Sequence, residues 1–596
     1  MSFLFDNIVA IQLAIVAAAF AWLGAGMNEI IDISLVAMPW LAAFLLELAI
    51  CFPQRMTGES TYDARKRCWS EMRRDPVTWL IVAMIIIMVF PLMNTGLCPV
   101  CDCDLINFGV PKPDPDPALP FAPFTVCAFD KKEHLDHATV MMWFIPALIG
   151  VLAARHALMK RGKRLALEIL VWNGMALAAF GLVEIVTGAK APYWLDGKNA
   201  INGFFATFHY INQSGAYWTL LFGMAIALWR WKVDNQERHD AGRDVAPGAK
   251  APHRIFWRKH LMLVPAVVFY CAALATKSRA AILFTTILAV LYYLHATISF
   301  SAKIESRSRR FKAIALSCLL PLSLAFVVKL CTSADTVCLR VDFTDISGTQ
   351  ISGYVGERGL FDENGTALPG YSVTRNMQGY RIVSPSEVVT AELAEGRVVN
   401  SDGDLVGSVK RRKMPRKETS LWDEVQRITV DDCLERIGGQ YHTRVATELW
   451  KNNLLFGIGG WGYAHLCTSV MSDDEAKHLQ LVGGANVHND WLQFLCEHGL
   501  VFVASFVIMI VLVLKGPISV WRRLAQAARF VRGSRRLPSP VTLFALPAGA
   551  FALLMAPIMT TLHAFGDCPL RSPAVLTAYL MCFVCLDGFM PYLEEN

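Results

Sequence analysis

Charge is scarce in this chain: Asp, Glu, Lys and Arg make up 18% of its 596 residues, against 54% hydrophobic types. With a mean hydropathy of +0.39, that composition excludes an ordinary soluble enzyme, in which about a quarter of residues are charged. The first apolar run lacks a basic n-region and a clear small-residue cleavage site, so it is expected to be a retained helix and not a signal peptide. Also missing are an inverted repeat, a matched pair of broken helices and a chain of mid-membrane acids, the marks of a secondary transporter. The main carboxylates in the apolar runs are Glu47, Glu168 and Glu184; the last two lie near helix ends, where they are cheap, while Glu47 is deeper and needs a partner.

What is present is a series of apolar runs, each long enough to cross a bilayer of about 30 Å. They fall near 8–27, 33–52, 77–95, 138–158, 165–187, 212–231, 261–276, 280–299, 313–331, 499–515, 541–562 and 573–590. The expectation is an all-α polytopic membrane protein with about twelve transmembrane helices. Lysines and arginines crowd into alternate connections, at 55–74, 155–164, 230–259, 303–312 and 515–536. The positive-inside rule makes those segments cytoplasmic, with both termini, and places 96–137, 188–211, 277–279, 332–498 and 563–572 outside. The net charge of +6 is then a topology signal facing anionic lipid, and it calls for no nucleic-acid partner.

The connection at 332–498 is far longer than the others and changes character along its length. From 332 to 412 β-branched and aromatic residues alternate with polar ones between Gly, Asn and Pro, which predicts a small β-rich insertion. ENG at 363–365 and SDGD at 401–404 read as hairpin turns. From 413 to 498 the spacing turns helical, as in LWDEVQRI and YHTRVATELWKNN, until LFGIGGWGY interrupts it. Spans resume from 499 to the C-terminus, balancing those from 1 to 331.

Several of the sixteen cysteines fall in segments expected outside: Cys98, Cys101, Cys103 and Cys127 in one, Cys338, Cys433 and Cys467 in the large one, Cys331 at its edge. Disulfides suit an oxidising compartment, and simple free thiols are the alternative use. The run CPVCDC could instead supply thiolates for zinc, although no histidine stands at the usual partner spacing.

At the end of the long loop stands His488–Asn489–Asp490, opening NVHNDWLQFLCEHGLVF. Imidazole titrates close to neutral pH, so a histidine just outside a membrane helix can accept a proton from a hydroxyl. If Asn486 or a neighbour caps the following helix, His488 lies in its first turn, where the helix dipole disfavours imidazolium. The competing reading is a helix cap at headgroup level.

Five motifs in order carry a family resemblance. His488, Asn489, nine residues and Gly499 follow the pattern H[NSQ]x9Gxx[GTY] up to its last position, occupied here by Phe502. Upstream stand FHYINQSGAYWTLL at 208–221, TKSRAAILFTTILAVL at 276–291 and YHTRVATELWKNNLLFGIGGWGY at 441–463, and downstream HAFGDCPLRSPA at 563–574. Together they resemble the O-antigen ligase and O-antigen polymerase superfamily of polytopic bacterial glycosyltransferases, over the spans from about 205 onward. Phe502 and Ile211, the latter where some members carry a basic or polar residue, depart from the pattern and bear on acceptor specificity.

The resemblance implies a GT-C-like fold in the bacterial inner membrane with the large loop in the periplasm. It implies a glycan donor carried on undecaprenyl diphosphate and transfer to an acceptor hydroxyl. Such a displacement needs a base near the hydroxyl, for which His488 is the candidate, and cations near the departing diphosphate. Arg279 comes first, held between two spans with almost no loop, followed by Arg444 and Arg571, since guanidinium forks suit phosphate. Each arginine could equally meet lipid headgroups. Asp567 could orient His488, bind a sugar hydroxyl, or pair with Arg571 four residues on. Asn489 and Asn212 are further orienting or sugar-binding candidates, and Trp461 and Trp491 could stack on sugars or anchor the interface. No DxD-like acidic pair is placed for a divalent metal on the outer face, and the arginines can do the work of one, so a reaction without metal or other cofactor is expected. The acceptor could be a lipid A core sugar, another lipid-linked repeat, or a protein serine or threonine. Outside the enzyme class, a transporter of the same lipid-linked glycan would need a continuous polar path across the membrane.

Overall fold

The computed structural model describes residues 2–23, 28–93, 136–189, 191–194, 204–241, 260–301, 337–413 apart from short turns, 440–467, 470–471, 486–531 and 546–591. The expected span at 313–331, the ENG turn, the LWDEVQRI segment, and Cys98, Cys101, Cys103, Cys127, Cys331 and Cys433 lie outside these residues. The structure is mostly helical with one small sheet. In chain order the helices of the first half are α1 (Ser2–Trp22), α2 (Asn28–Cys51), α3 (Thr61–Arg74), α4 (Pro76–Met93), α5 (Asp136–Leu152), α6 (Lys160–Val186), α7 (Ile211–Ala241), α8 (Leu263–Ala275) and α9 (Arg279–Ser301). After the sheet come α10 (Gln440–Asn452), α11 (Gly462–Leu466), α12 (Asp490–Val531), α13 (Ala548–His563) and α14 (Pro573–Val584).

Among the described residues, three helical stretches are long and apolar enough to cross a membrane: Lys160–Val186, Arg279–Ile298 and Asp490–Gln526. A fourth counts if α3 and α4, bent by 65°, form one broken span, and six shorter apolar helices of 10–17 residues accompany them. The span expected to begin at 499 follows a break in its helix at Gly499, and the helical segment expected up to 498 runs into that break. Residues 490–498 are helical, because Trp491, Phe494 and Cys496 give that turn an apolar face that packs inward.

At the centre, α7 is flanked by α13, α8 and α14. Apolar helices gain little from burying side chains that lipid would solvate equally well, so close backbone approach has to supply the packing. Small residues permit it: a Cβ on Gly223 would stand 2.4 Å from the Ala556 Cβ, and one on Gly215 would stand 2.1 Å from the Ala281 Cβ. Two of the carboxylates here have partners: Lys232 Nζ lies 2.5 Å from Glu168 Oε1, and Glu184 Oε1 accepts from the Tyr193 N–H at 2.8 Å. Glu47, for which a partner was expected, lies on an exposed surface of α2.

The sheet has eight antiparallel strands: β1 (Val337–Thr344), β2 (Gln350–Val355), β3 (Leu360–Phe361), β4 (Ser372–Arg375), β5 (Gly379–Val383), β6 (Val388–Glu392), β7 (Arg397–Val399) and β8 (Leu405–Lys413). Their order is β3-β2-β1-β8-β7-β6-β5-β4. Period-two patterning puts Val341 and Phe343 on one face, where they pack with Ile351, Leu360, Ile382, Val389 and Val398. Residues 401–403 of the SDGD run lie outside the described residues; on either side of them the Asn400 N–H donates to Asp404 O at 3.0 Å and the Asp404 N–H donates to Asn400 Oδ1 at 2.8 Å.

Gly223→Val should separate α7 from α13. Overpacking of this kind costs about 1–3 kcal/mol, and Ala556→Gly on the facing helix should restore part of it. Thermal denaturation of the two single variants and the double variant in detergent measures both effects.

Candidate functional site

The connection from α13 to α14 carries a carboxylate that is 1% exposed, Asp567. An isolated buried carboxylate is very costly unless donors surround it, and here they come from three separate segments. The Tyr210 hydroxyl donates to Oδ1 at 2.7 Å, the Asn212 amide donates to Oδ2, and His488 Nδ1 lies 3.4 Å from Oδ1. The following peptide N–H, that of Cys568, adds a bond of 2.8 Å. Burial alone would push the Asp567 carboxyl up. The hydrogen bond and charge of His488, the charge of His563 and the Tyr210 hydroxyl outweigh it and hold the group below the usual carboxylate range. Burial and the Asp567 charge together raise the Tyr210 phenol far above its ordinary value, so it acts as a donor.

The network extends one step further. Asn212 opens α7, and its side-chain oxygen accepts from the Ser278 hydroxyl in the tight connection between α8 and α9. The sequence singled out Asn212 and Asp567 without their link, and it passed over Tyr210 and Ser278, although both lie in the motifs quoted above.

His488 stands just outside α12 with φ of 55°, a left-handed conformation unusual for a residue with a Cβ. The expected placement in the first turn is corrected. Asn489 is the cap: its side-chain oxygen accepts from the Leu492 N–H at 3.1 Å, three residues on, as an N-cap does. The imidazole is therefore aimed by the left-handed step before the cap. Its side chain is 43% exposed while its partner Asp567 is buried. An ionised carboxylate only accepts hydrogen bonds, so Nδ1, facing it, is the donor, and Nε2 is the ring nitrogen that the carboxylate does not engage. Next to it lies His442, whose ring centre is 6.3 Å from that of His488 and whose Nδ1 is 2.5 Å from the Tyr463 hydroxyl.

The start of α12 is pinned to the same connection. The Asp490 N–H donates to Ala564 O at 2.9 Å and Asp567 O at 3.3 Å, and Asp490 Oδ2 accepts from the Leu570 N–H at 2.7 Å. Nine residues later α12 breaks at Gly499, with φ 77° and ψ 176°. The broken turn leaves backbone groups without helical partners, and the glycine-rich turn after α10 takes them up. The Ile458 and Gly459 N–H groups donate to Cys496 O and Glu497 O at 3.0 and 2.8 Å, while the Leu500 and Val501 N–H groups donate to Leu454 O and Leu455 O at 2.9 and 3.1 Å. A Cβ on Gly499 would stand 2.2 Å from Leu455 O, which is why glycine fills this motif position. Phe502, the departure from the motif, is fully buried against Phe144 and His498.

Arg571 does not pair with Asp567. Pro569–Arg571 form a 3-10 turn, which removes the α-helical spacing that pairing required, and Arg571 Nη1 instead meets Glu497 Oε1 at 3.1 Å. Both side chains are buried, Gln493 donates to the same carboxylate oxygen at 2.9 Å, and the guanidinium lies 4.3 Å above the Trp461 ring. Trp461 thus supports Arg571 through a cation–π contact. Arg571 Nη2 has no hydrogen-bond partner among the described residues. Arg279 is exposed at the start of α9, directly after Ser278. Arg444 is exposed on α10 and pairs with Glu448 at 3.4 Å on its own helix. Trp491 packs among Phe494, Phe506 and Phe565, with its indole N–H 3.4 Å from Thr561 O, which is the arrangement of an anchored aromatic.

His488, Asp567 and Cys568 each offer a ligand atom within 4.8 Å of the others, a geometry that a metal ion could use. Burial pushes the Cys568 thiol well up, and its sulfur donates to Asp567 Oδ1 at 3.5 Å. The trio is accounted for as a hydrogen-bonded group around one carboxylate. Cys467, also candidate material for a bridge, is buried, and its sulfur donates to Ala464 O at 3.7 Å.

Gly499→Ala should lose about 2 kcal/mol or more, because a Cβ there meets backbone atoms and the φ/ψ region belongs to glycine. Gly516→Ala in the same helix, where nothing lies within 4 Å of the added Cβ, should be neutral or stabilising. Equal melting temperatures for the two variants would contradict the break as described.

No protein-family model matches this chain, and a search of curated proteins gives no match.

Proposed function

We propose that this chain is a polytopic glycosyltransferase of the bacterial inner membrane, GT-C-like with about twelve crossings, of the O-antigen ligase type. It moves a glycan from undecaprenyl diphosphate to an acceptor hydroxyl at the periplasmic face. The observation that carries the reading is the pair of His488 and Asp567: a half-exposed imidazole whose Nδ1 is 3.4 Å from a buried carboxylate. Such a pairing fixes the tautomer and steadies the imidazolium that forms when Nε2 takes up a proton. That is the equipment of a general base.

In the proposed step the acceptor oxygen attacks the anomeric carbon as the bond from that carbon to the diphosphate oxygen breaks. The hydroxyl proton passes to His488 Nε2, and the lipid diphosphate leaves with the electron pair and its negative charge. A cation near the diphosphate lowers the barrier by meeting charge as it develops. Arg279 is assigned that role, since it is exposed and its neighbour Ser278 is bonded into the carboxylate network. Arg571, partly neutralised by Glu497, is assigned a smaller share through its remaining Nη2, and Arg444 the least.

His488→Ala should lower transfer about a hundredfold or more while leaving the protein folded. Asp567→Asn should also lower it strongly, since an amide in that place presents a donor to groups that themselves donate. Single-turnover transfer with purified protein and lipid-linked donor reads both, and a His488→Ala rate near wild type would sink the assignment.

Arg279→Lys keeps the charge and loses the bidentate fork, so donor affinity should fall without a change in fold. Binding of the lipid diphosphate to the variant separates this from a lipid anchor, for which lysine would serve equally well.

A further inference from the structure

α3 joins two apolar helices yet contains five basic residues, Arg65, Lys66, Arg67, Arg73 and Arg74. Its start is capped by Ser60, whose hydroxyl accepts from the Asp63 N–H at 3.1 Å. One face is inward: Ala64, Cys68 and Met72, four residues apart, are buried, and the Cys68 thiol donates to Ala49 O at 3.6 Å. A second face is laced with ion pairs, Arg67 to Glu59 at 2.9 Å and to Glu71 at 4.0 Å.

The third face is different. At about 100° per residue, Tyr62, Arg65, Lys66 and Arg73 all fall within about 60° of Trp69, whereas Asp63 and Glu71 fall about 120° and 160° away. This stripe holds aromatics and cations and no carboxylate. Tyr62 is 72% and Trp69 48% exposed, and the Arg73 guanidinium lies 5.9 Å over the Trp69 ring. Trp79 on α4 is also exposed and donates from its indole N–H to Arg73 O at 3.0 Å, so it continues the aromatic edge onto the next helix.

Asp75 ends α3 and Pro76 begins α4, and the two axes are bent by 65°. α4 is apolar throughout. With α4 near the bilayer normal, α3 lies close to the membrane plane at the level of the headgroups. There, exposed aromatics seat at the apolar boundary and basic side chains reach anionic lipid.

We propose that the Tyr62, Arg65, Lys66, Trp69 and Arg73 face of α3 is a seat for anionic phospholipid headgroups of the bilayer that holds the protein. The charge complementarity of a carboxylate-free stripe argues for that occupant over a zwitterionic lipid. The proposal is independent of the chemistry assigned to His488.

The test uses the full chain in detergent, with native mass spectrometry of bound phosphatidylglycerol and phosphatidylcholine. Wild type should retain phosphatidylglycerol preferentially, in the presence of inorganic phosphate as well as without it. Lys66→Gln with Arg73→Gln should weaken that retention roughly tenfold or more, since each basic residue near an anionic surface contributes a factor of about five. Arg74→Gln, on the ion-paired side, should leave it unchanged. Equal retention of both lipids by wild type, displacement by inorganic phosphate, or an equal loss in Arg74→Gln would overturn the proposal. As a second readout, a fluorophore on Tyr62→Cys in nanodiscs should be quenched by headgroup-nitroxide lipid, and quenching by an aqueous quencher alone would also overturn it.

Discussion

The carboxylate of Asp567 is the group on which the site depends. It sits buried in a chain short of charge, and it is tolerable there only because Tyr210, Asn212, His488 and the Cys568 N–H surround it. Those donors belong to the start of α7, the step before α12 and the connection between α13 and α14. Satisfying one oxygen pair therefore fixes three segments remote in sequence against each other. Ser278 adds the junction of α8 and α9 through Asn212.

A second constraint acts on the backbone. The break at Gly499 strands peptide groups in an apolar setting, where each unpaired group is expensive. Leu454, Leu455, Ile458 and Gly459 meet them with four backbone bonds. The glycine-rich turn is thus the complement of the broken helix, and Glu497, at the break, is positioned to hold Arg571. Side-chain electrostatics and backbone satisfaction are coupled here: straightening α12 would move the carboxylate that neutralises the guanidinium.

Much of this was legible in the sequence one segment at a time. Period-two alternation located the sheet, apolar runs located most helices, and the motif pattern singled out His488, Asn212, Gly499 and Asp567. The pairings were not legible, because they join residues 355 and 79 positions apart through space. One local rule misled for an identifiable reason. Spacing of four made Asp567 and Arg571 look like partners, but a proline-led 3-10 turn replaced the helix that spacing assumes. Hydropathy placed the start of the span at 499, where α12 breaks; ahead of the break Asp490, Gln493, Glu497 and His498 make the helix too polar to read as part of an apolar run, although all four are buried. A polar residue that finds a partner inside is indistinguishable, by hydropathy, from one in a loop.

The charge balance of the site narrows what each arginine can contribute to the proposed reaction. Asp567 offsets the imidazolium that would form on His488, and Glu497 offsets Arg571, so both pairs are close to neutral when the base is loaded. Arg444 spends its charge on Glu448 at the surface. On the proposed reading Arg279, exposed at the start of α9, meets the departing diphosphate, with Lys277, exposed and held at φ 58°, beside it. Both flank Ser278, whose bond to Asn212 ties their backbone to the network that aims His488. The base and the cations would thus be placed by one chain of hydrogen bonds, as an in-line displacement requires when proton acceptance and leaving-group departure occur on opposite sides of one carbon.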